Sequence, residues 1–369
     1  MLGFGTTIAL LSRFVETELG GGGVAVGITL GSFSVSAILF RPWLGLIGDR
    51  HGRRILIIIG GLLVGSGTAT HVIADSVAAL VAGRLIIGVG QAAFFVGAAT
   101  LVVDLAPADR RGEATSYFSV SIFIGSGLGP FLGQAMLDQY SFDAAFLLGA
   151  ALSACSAVVA ILLPKRVPQT AERPVRIDQP ARGGPPALYR KSIPPGLTMF
   201  LGLMSFTAFT GFLPLRAEEL GINDIARFFL LQAIVVIVIR LLGATVPDKL
   251  GPVRTGTIAL SSAVVGMTLM GLAGGNLGLM VATAVWSIGV SMLYPAMLIA
   301  ALDDVPDDER ASAMGTFTLF FDLAGGIGGL LLGVAKATSG NQAPFFVAAS
   351  AAVLGLFAVR TWVASTYKG

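Results

Sequence analysis

The sequence predicts an all-α membrane protein made of two halves of six helices each, on three observations. First, 54% of the 369 residues are hydrophobic, 12% are charged and the mean hydropathy is +0.84, whereas a soluble protein carries about 25% charged residues. Second, apolar runs of about 20 residues, the length that spans a bilayer, recur along the chain. Third, the second part of the chain repeats the charge pattern of the first.

Eleven apolar runs are long enough to cross a membrane, and a shorter run precedes them. The short run, MLGFGTTIALL, ends at the polar stretch SRFVETELGGGG. We expect it to form a truncated first helix, either because the start codon is misassigned or because the helix is short. The long runs lie at residues 24–46, 55–74, 76–103, 114–137, 143–163, 194–215, 225–246, 254–274, 276–302, 311–335 and 344–364.

The basic residues predict the orientation in the membrane, since cytoplasmic loops are enriched in Lys and Arg. Most of the 24 Lys and Arg residues lie in one alternating set of connections, and the other set holds Arg13, Arg216, Arg227 and Lys336. We therefore expect a multi-pass protein of the inner or plasma membrane with both termini in the cytoplasm. The net charge of +3 is small and unevenly distributed, which argues against nucleic-acid binding.

A long polar segment divides the chain. Residues 164–193 are rich in Pro and Arg, a composition that does not bury a core and predicts a cytoplasmic linker. The expected domains are a six-helix bundle at 1–163, this linker, and a second bundle at 194–369.

The two bundles are predicted to be repeats because charged residues and prolines recur at a constant offset of 199 residues. Arg41 matches Arg240. Identical residues also lie 199 positions after Asp104, Pro107, Asp109 and Arg111. Parallel repeats place a symmetry axis along the membrane normal and a binding site between the halves.

The stretch GLIGDRHGRR, at residues 45–54, resembles the loop between the second and third helices of major facilitator superfamily transporters. The resemblance covers the whole chain, including an echo in the second half, ATVPDKLGPVR. It implies that the matching Asp and Arg residues form a cytoplasmic gate; the alternative is that the arginines only orient the protein. The gate residues are Gly45, Asp49, Arg50, Gly52, Arg53, Arg54 and Arg111, with Asp248 and Gly251 in the echo.

The fourth predicted helix carries RLIIGVGQAAFFVGA, which resembles a family motif containing an intramembrane arginine. Arg84 and Gln91 are therefore candidates for proton coupling or substrate contact. A charged residue there costs about 2.5–3.5 kcal/mol on insertion scales and needs a partner or a cavity. The alternative is a structural arginine that bonds carbonyl groups of the first helix.

The fifth predicted helix carries GSGLGPFLG, which resembles a motif associated with antiporters. Gly125, Gly129 and Gly133 recur every four residues and give one smooth face, and Pro130 should bend the helix. The resemblance implies export; the alternative is ordinary helix packing.

Asp322 lies near the middle of the eleventh predicted helix. A carboxyl group at that depth is costly unless it binds protons, substrate or a hydrogen-bonding partner. We take it as the first candidate for proton coupling, and a satisfied structural hydrogen bond as the alternative. Further candidates for the cavity wall are Phe94, Phe95, Trp286 and Tyr294.

Together these features predict a proton-coupled secondary transporter that exports small amphipathic molecules by alternating access. One alternative is an uptake porter for a sugar or metabolite, and another is a transport-inactive sensor or assembly factor. Since no paired carboxylates, nucleophile with a base, metal-ligand set or nucleotide loop is recognisable, we expect no enzyme, metal or cofactor. The expected partners are a small-molecule substrate, the proton and the bilayer, with the protein acting as a monomer.

Overall fold

The computed structural model describes residues 1–107, 110–163, 189–242, 246–303, 305–306 and 309–366. These residues form helices and no strands. Within a bilayer only a helix or a closed barrel pairs all backbone polar groups, so long apolar runs become helices. Nine of the described helical segments are long and apolar enough to cross a membrane. The expected all-α membrane fold is therefore confirmed; most of the predicted linker lies outside the described residues.

The helices of the first half follow the predicted spans closely. Two of them start at a serine whose hydroxyl oxygen accepts a backbone hydrogen bond, Ser76 from the Ala79 N–H and Ser141 from the Ala144 N–H. The helices are α1 (Leu2–Ile8), α2 (Leu11–Thr17), α3 (Gly23–His51), α4 (Arg53–Ala69), α5 (Val77–Leu105), α6 (Arg111–Gln139) and α7 (Phe142–Ile161).

The second half repeats this arrangement with one long helix in place of the first two. Its helices are α8 (Ile193–Glu219), α9 (Ala226–Leu242), α10 (Val246–Leu272, broken at Gly251), α11 (Asn276–Leu302), α12 (Arg310–Ser339), α13 (Ala343–Ala358) and α14 (Ala364–Thr366).

The first predicted helix is broken as well as short. α1 and α2 contain seven residues each, whereas the corresponding α8 contains 27. Met1 lies against the middle of α6: a Cβ atom added at Gly125 would stand 2.5 Å from the Cβ of Met1. The first residue of the given sequence is thus packed against α6 within the first half.

Glycines with positive φ mark the turns at both ends of the bundle. Gly52 (φ 91°) separates α3 from α4, and Gly251 (φ 75°) breaks α10 at the matching position. Gly20 and Gly221 occupy matching turns at the opposite end. The tight turn expected at Gly52 is thus present. Below, the end with Gly52 and Gly251 is called the inner end, and the end with Gly20 and Gly221 the outer end.

Replacing Gly52 with alanine should lower the free energy of unfolding by about 1–3 kcal/mol, because an L-residue is strained at this φ. Detergent-purified protein would show this as a lower midpoint of thermal unfolding. Gly22→Ala is the matched control, since Gly22 has a φ of −87° and a Cβ atom added there would meet nothing within 4 Å. Equal stability of the two variants would contradict the prediction.

The halves meet along two main helix pairs, α3 with α12 and α6 with α9, and α2 also packs on α8. Small residues allow close approach in the α3–α12 pair. A Cβ atom at Gly27 would lie 2.6 Å from the carbonyl oxygen of Gly329, and one at Gly23 would lie 2.7 Å from that of Gly333. These glycines lie in the outer part of both helices, so the halves are tightly packed there.

Candidate functional site

An ion pair joins the two halves in the interior of the α3–α12 contact. Arg41 Nη2 lies 2.8 Å from Asp322 Oδ2, and the two side chains are 24% and 8% exposed. Asp322 lies twelve residues after the start of α12, which is about 18 Å along the helix axis. Since an unpaired charge is costly at that depth, each residue supplies the partner that the other needs.

Aromatic and basic groups from two further helices surround this ion pair. Tyr294 of α11 lies within electrostatic range of Arg41 and of Arg240 on α9. Its ring centroid is 5.8 Å from that of Phe317 and 6.3 Å from that of Phe321. Arg41 and Arg240 are repeat partners, so the pseudo-symmetry brings both arginines to one place. The cluster combines a group that can exchange protons with an aromatic wall.

Arg84 is fully buried in the packing of α5 on α3. Its Nε donates to the carbonyl oxygen of Thr29 at 3.1 Å, and its Nη2 donates to that of Leu30 at 3.2 Å. The guanidinium also lies over the ring of Phe33, 4.8 Å from the centroid. This geometry resembles the structural alternative considered above, except that the carbonyl groups belong to α3 and not to the first helix.

A cavity of about 710 Å³ opens inside the first half, bordered by α1, α4, α5, α6 and α7. Two predicted residues line it: Gln91, whose Nε2 lies 3.2 Å from Met1 Sδ, and Phe94. Phe95 is not among the lining residues of this cavity, and its ring centroid lies 5.9 Å from that of Phe118, which is. The cavity reaches the inner ends of α5 and α7 at Leu105 and Leu163.

Trp286, a predicted cavity residue, is packed into the interior of the second half. It is completely buried in the second half, where its Nε1 donates to Ser205 Oγ at 2.9 Å and its ring stacks on Phe209 at 4.3 Å. An indole that is packed and hydrogen-bonded in this way stabilises the bundle. Sequence position alone did not distinguish this face of α11 from the face that carries Tyr294.

The described part of the gate motif connects helices within the first half. Arg53 Nε lies 3.7 Å from Asp104 Oδ2, and Arg54 Nη1 donates to the Leu163 carbonyl oxygen at 3.1 Å. Arg50 is exposed. The remaining gate positions lie outside the side chains that the structure describes, so their contacts stay predictions: Gly45, Asp49, Arg111 and Asp248.

The glycine face of the fifth-helix motif packs on α1 and not on the other half. A Cβ atom at Gly129 would lie 2.7 Å from the Cα of Gly5, and Gly133 abuts the backbone of Thr6. Pro130 lies in the same helix, and its ring faces Gly5. The glycine that meets the second half is Gly127, where an added Cβ atom would lie 2.5 Å from Ala233 Cβ. Two residues correspond to about 200° around a helix, so Gly127 faces away from Gly125.

Two ion pairs cross between the halves at the outer end. Arg13 Nε of α2 lies 2.6 Å from Glu218 Oε1 of α8, and Lys336 Nζ of α12 pairs with Glu16 Oε1 of α2. The scarcity of basic residues on this side was visible in the sequence, but their pairing with the acids of ETELG and AEELG was not. Together with the glycine contacts, these pairs join the two halves at the outer end.

Comparisons with known proteins agree with this architecture. Residues 1–329 match the sequence model of the Major Facilitator Superfamily. The chain is 25% identical to an uncharacterised MFS-type transporter of Salmonella typhimurium, with 97% of this chain and 92% of that protein covered. The fold is similar to those of the nucleoside transporter NupG (TM-score 0.77, 16% identity, 100% and 97% of the two chains) and of the xylose transporter XylE from E. coli (0.78, 15%, 98% and 93%).

Proposed function

The chain belongs to the major facilitator superfamily, a family of membrane transporters and not of enzymes, and on that premise we propose that it is a proton-coupled exporter of small amphipathic molecules. The observation that carries the proposal is the ion pair between Arg41 and Asp322, which links the two halves in the membrane interior.

Protonation of Asp322 provides the coupling in this mechanism. The ionised carboxylate holds Arg41 and with it the contact between α3 and α12. When the carboxyl group takes up a proton, the pair loses its Coulomb attraction, and the halves separate more easily at this level. The proton thus changes the relative free energies of the conformations, as coupled transport requires.

The outer ion pairs control the step of the transport cycle in which the outer end opens. Arg13–Glu218 and Lys336–Glu16 close the outer end in this conformation, and rocking of the halves at 1–163 and 194–369 must break them to open it. The inner end, which carries most of the basic residues, faces the cytoplasm under the positive-inside rule, and the membrane is the bacterial inner membrane.

The amphipathic character of the substrate follows from the composition of the site. The surroundings of Asp322 combine a few charges with aromatic rings from α11 and α12, which suits molecules with an apolar body and a polar group. Export is favoured by the resemblance of the fifth-helix motif to antiporters. Uptake is the competing direction. The glycines of that motif pack on α1 inside one half, so they do not form the contact at which the halves would rock.

Transport in proteoliposomes tests the proposal. The full chain is reconstituted around a pH-sensitive dye, an inward proton gradient is applied, and lipophilic cations and neutral metabolites are added in turn. For an antiporter, substrate accumulation against the proton movement is expected in the wild type. The proton-coupled transport rate of Asp322→Asn should be at least tenfold lower than that of the wild type, since the substitution removes the proton-binding group and keeps the shape of the side chain.

Glu18→Gln is the matched control, because Glu18 is a carboxylate on the exposed outer surface. It should transport like the wild type. If substrate and proton move in the same direction, the proposed export is wrong and the protein is an uptake transporter. Full coupling in Asp322→Asn would overturn the role of Asp322, and silence of the wild type with the whole panel would contradict the proposed substrates.

A further inference from the structure

We propose that the lipid-facing groove between α10 and α13 binds an anionic phospholipid, whose headgroup is held at the inner end of the groove by Arg254 and Arg360. α10 runs outwards from the inner end, and α13 packs on it and runs back. Both helices have an exposed apolar face, and each of these faces ends in one exposed arginine. The exposed apolar side chains are Ile258, Val265 and Leu269 on α10, and Val353, Leu354 and Phe357 on α13.

The packing of the two helices brings the arginines to one depth in the membrane. α13 continues at its inner end as a π-helical turn, Val359–Val363. A Cβ atom added at Gly256 would lie 3.1 Å from Val359 Cγ2, which joins this turn to α10. Arg254 comes two residues before this glycine and Arg360 directly after this valine, so each lies within about 3 Å of the contact along its helix axis. The two arginines therefore flank the same end of the groove.

These arginines need an anion from outside the protein. Arg254 is the only charged residue at 251–272, and Arg360 is the only one at 343–366. Both lie within helical segments that are long and apolar enough to cross a membrane. Within the part of the chain that the structure describes, neither side chain has an ionic or hydrogen-bonding partner. A lipid-facing arginine near a helix end extends its side chain towards the membrane surface, where lipid phosphates supply the missing negative charge.

The first half uses its arginines differently at the matching place. Its helices α4 and α7, the counterparts of α10 and α13, also pack on each other. There Arg54 Nη1 donates to the Leu163 carbonyl oxygen, and Arg53 pairs with Asp104. At the offset of 199 residues Val253 replaces Arg54, so the second half lacks this link within the protein. The unpaired arginines are therefore a property of the second half.

The groove suits a phospholipid with a net negative charge. Two guanidinium groups at one depth bind phosphate oxygens strongly, because the hydrogen bonds are assisted by charge. A zwitterionic headgroup also brings an ammonium group, which the arginines repel, whereas an anionic headgroup does not. Trp362 is 54% exposed and lies two residues after Arg360, and indole rings favour the level of the headgroups. The acyl chains then lie along the apolar faces of the two helices.

The fluorescence of Trp362 reports on lipid binding and does not depend on transport. Of the three tryptophans, Trp286 is completely buried, and Trp43→Phe removes the other exposed indole. In this background the delipidated full chain in uncharged detergent is titrated with phospholipids brominated on their acyl chains, since bromine quenches a nearby indole. Brominated phosphatidylglycerol, which is anionic, should reach half-quenching at a concentration about tenfold lower than brominated phosphatidylcholine, which is zwitterionic.

Variants without the two charges test the role of the arginines. Arg254→Gln/Arg360→Gln should raise the half-quenching concentration of phosphatidylglycerol about tenfold, to that of phosphatidylcholine, and each single substitution should raise it about threefold. Arg190→Gln/Lys191→Gln is the matched control, because it removes two exposed basic groups at the inner end of the same half, in the turn before α8. It should keep the preference for the anionic lipid.

Four results would overturn the proposal. The first is equal half-quenching by the two lipids, and the second is a preference that persists in Arg254→Gln/Arg360→Gln. The third is loss of the preference in the control variant, which would show a general effect of net charge. The fourth is displacement of phosphatidylglycerol by glycerol 3-phosphate, which would show that the arginines bind a soluble phosphate and not a lipid.

Discussion

Replacing Asp322 with leucine should lower the free energy of unfolding by about 3–5 kcal/mol, the cost of leaving one member of a buried ion pair without its partner. Arg41→Leu should cost less. The two single variants leave different groups behind: an isolated carboxyl group can take up a proton and become neutral, whereas a guanidinium stays charged. Because the Asp322 side chain is only 8% exposed, solvent does little to stabilise its charge when Arg41 is removed.

A double-mutant cycle measures this asymmetry. The double variant Arg41→Leu/Asp322→Leu should regain most of the lost stability, because both charges are then gone and two apolar side chains face each other. Unfolding of the purified protein by SDS in mixed micelles gives the three free-energy changes. Strictly additive costs of the two substitutions would show that the residues do not stabilise each other.

Replacing Lys336 with glutamate should shift the protein towards a conformation that is open at the outer end. The substitution places a carboxylate beside Glu16, in a pair that is only 13% and 25% exposed in the native protein. Like charges brought together in an interface cost several kcal/mol, and each 1.4 kcal/mol changes a population about tenfold. The open fraction should therefore rise tenfold or more.

Accessibility of a single cysteine measures this shift. Leu30 is 3% exposed and its side chain lies against Gly211 of the other half. In a Cys155→Ser background, Leu30→Cys should react faster with a membrane-impermeant maleimide when Lys336→Glu is added. Adding Glu16→Lys as well restores opposite charges and should return the rate. Lys249→Glu, a reversal at an exposed inner residue, is the control. An unchanged rate in Lys336→Glu would refute a closing role for the outer pairs.

The all-α membrane fold and the position of nearly every helix could be predicted from the sequence. These features depend on composition and on local runs of apolar residues, because the bilayer forces any such run to pair its backbone internally. The turns at Gly52 and its repeat partner Gly251 were equally predictable, since a positive φ selects glycine and the offset of 199 residues locates both.

Which groups meet in the folded protein could not be predicted in this way. Asp322 and Arg84 were recognisable as intramembrane charges, but their partners, Arg41 and two carbonyl groups of α3, lie far away in sequence. Nearly every face of these helices is apolar, so periodicity does not distinguish the buried Trp286 from a cavity wall. The same holds for Gly127, which contacts the second half while its neighbours contact α1. Such contacts depend on how several helices pack together, and no single segment of the chain encodes that.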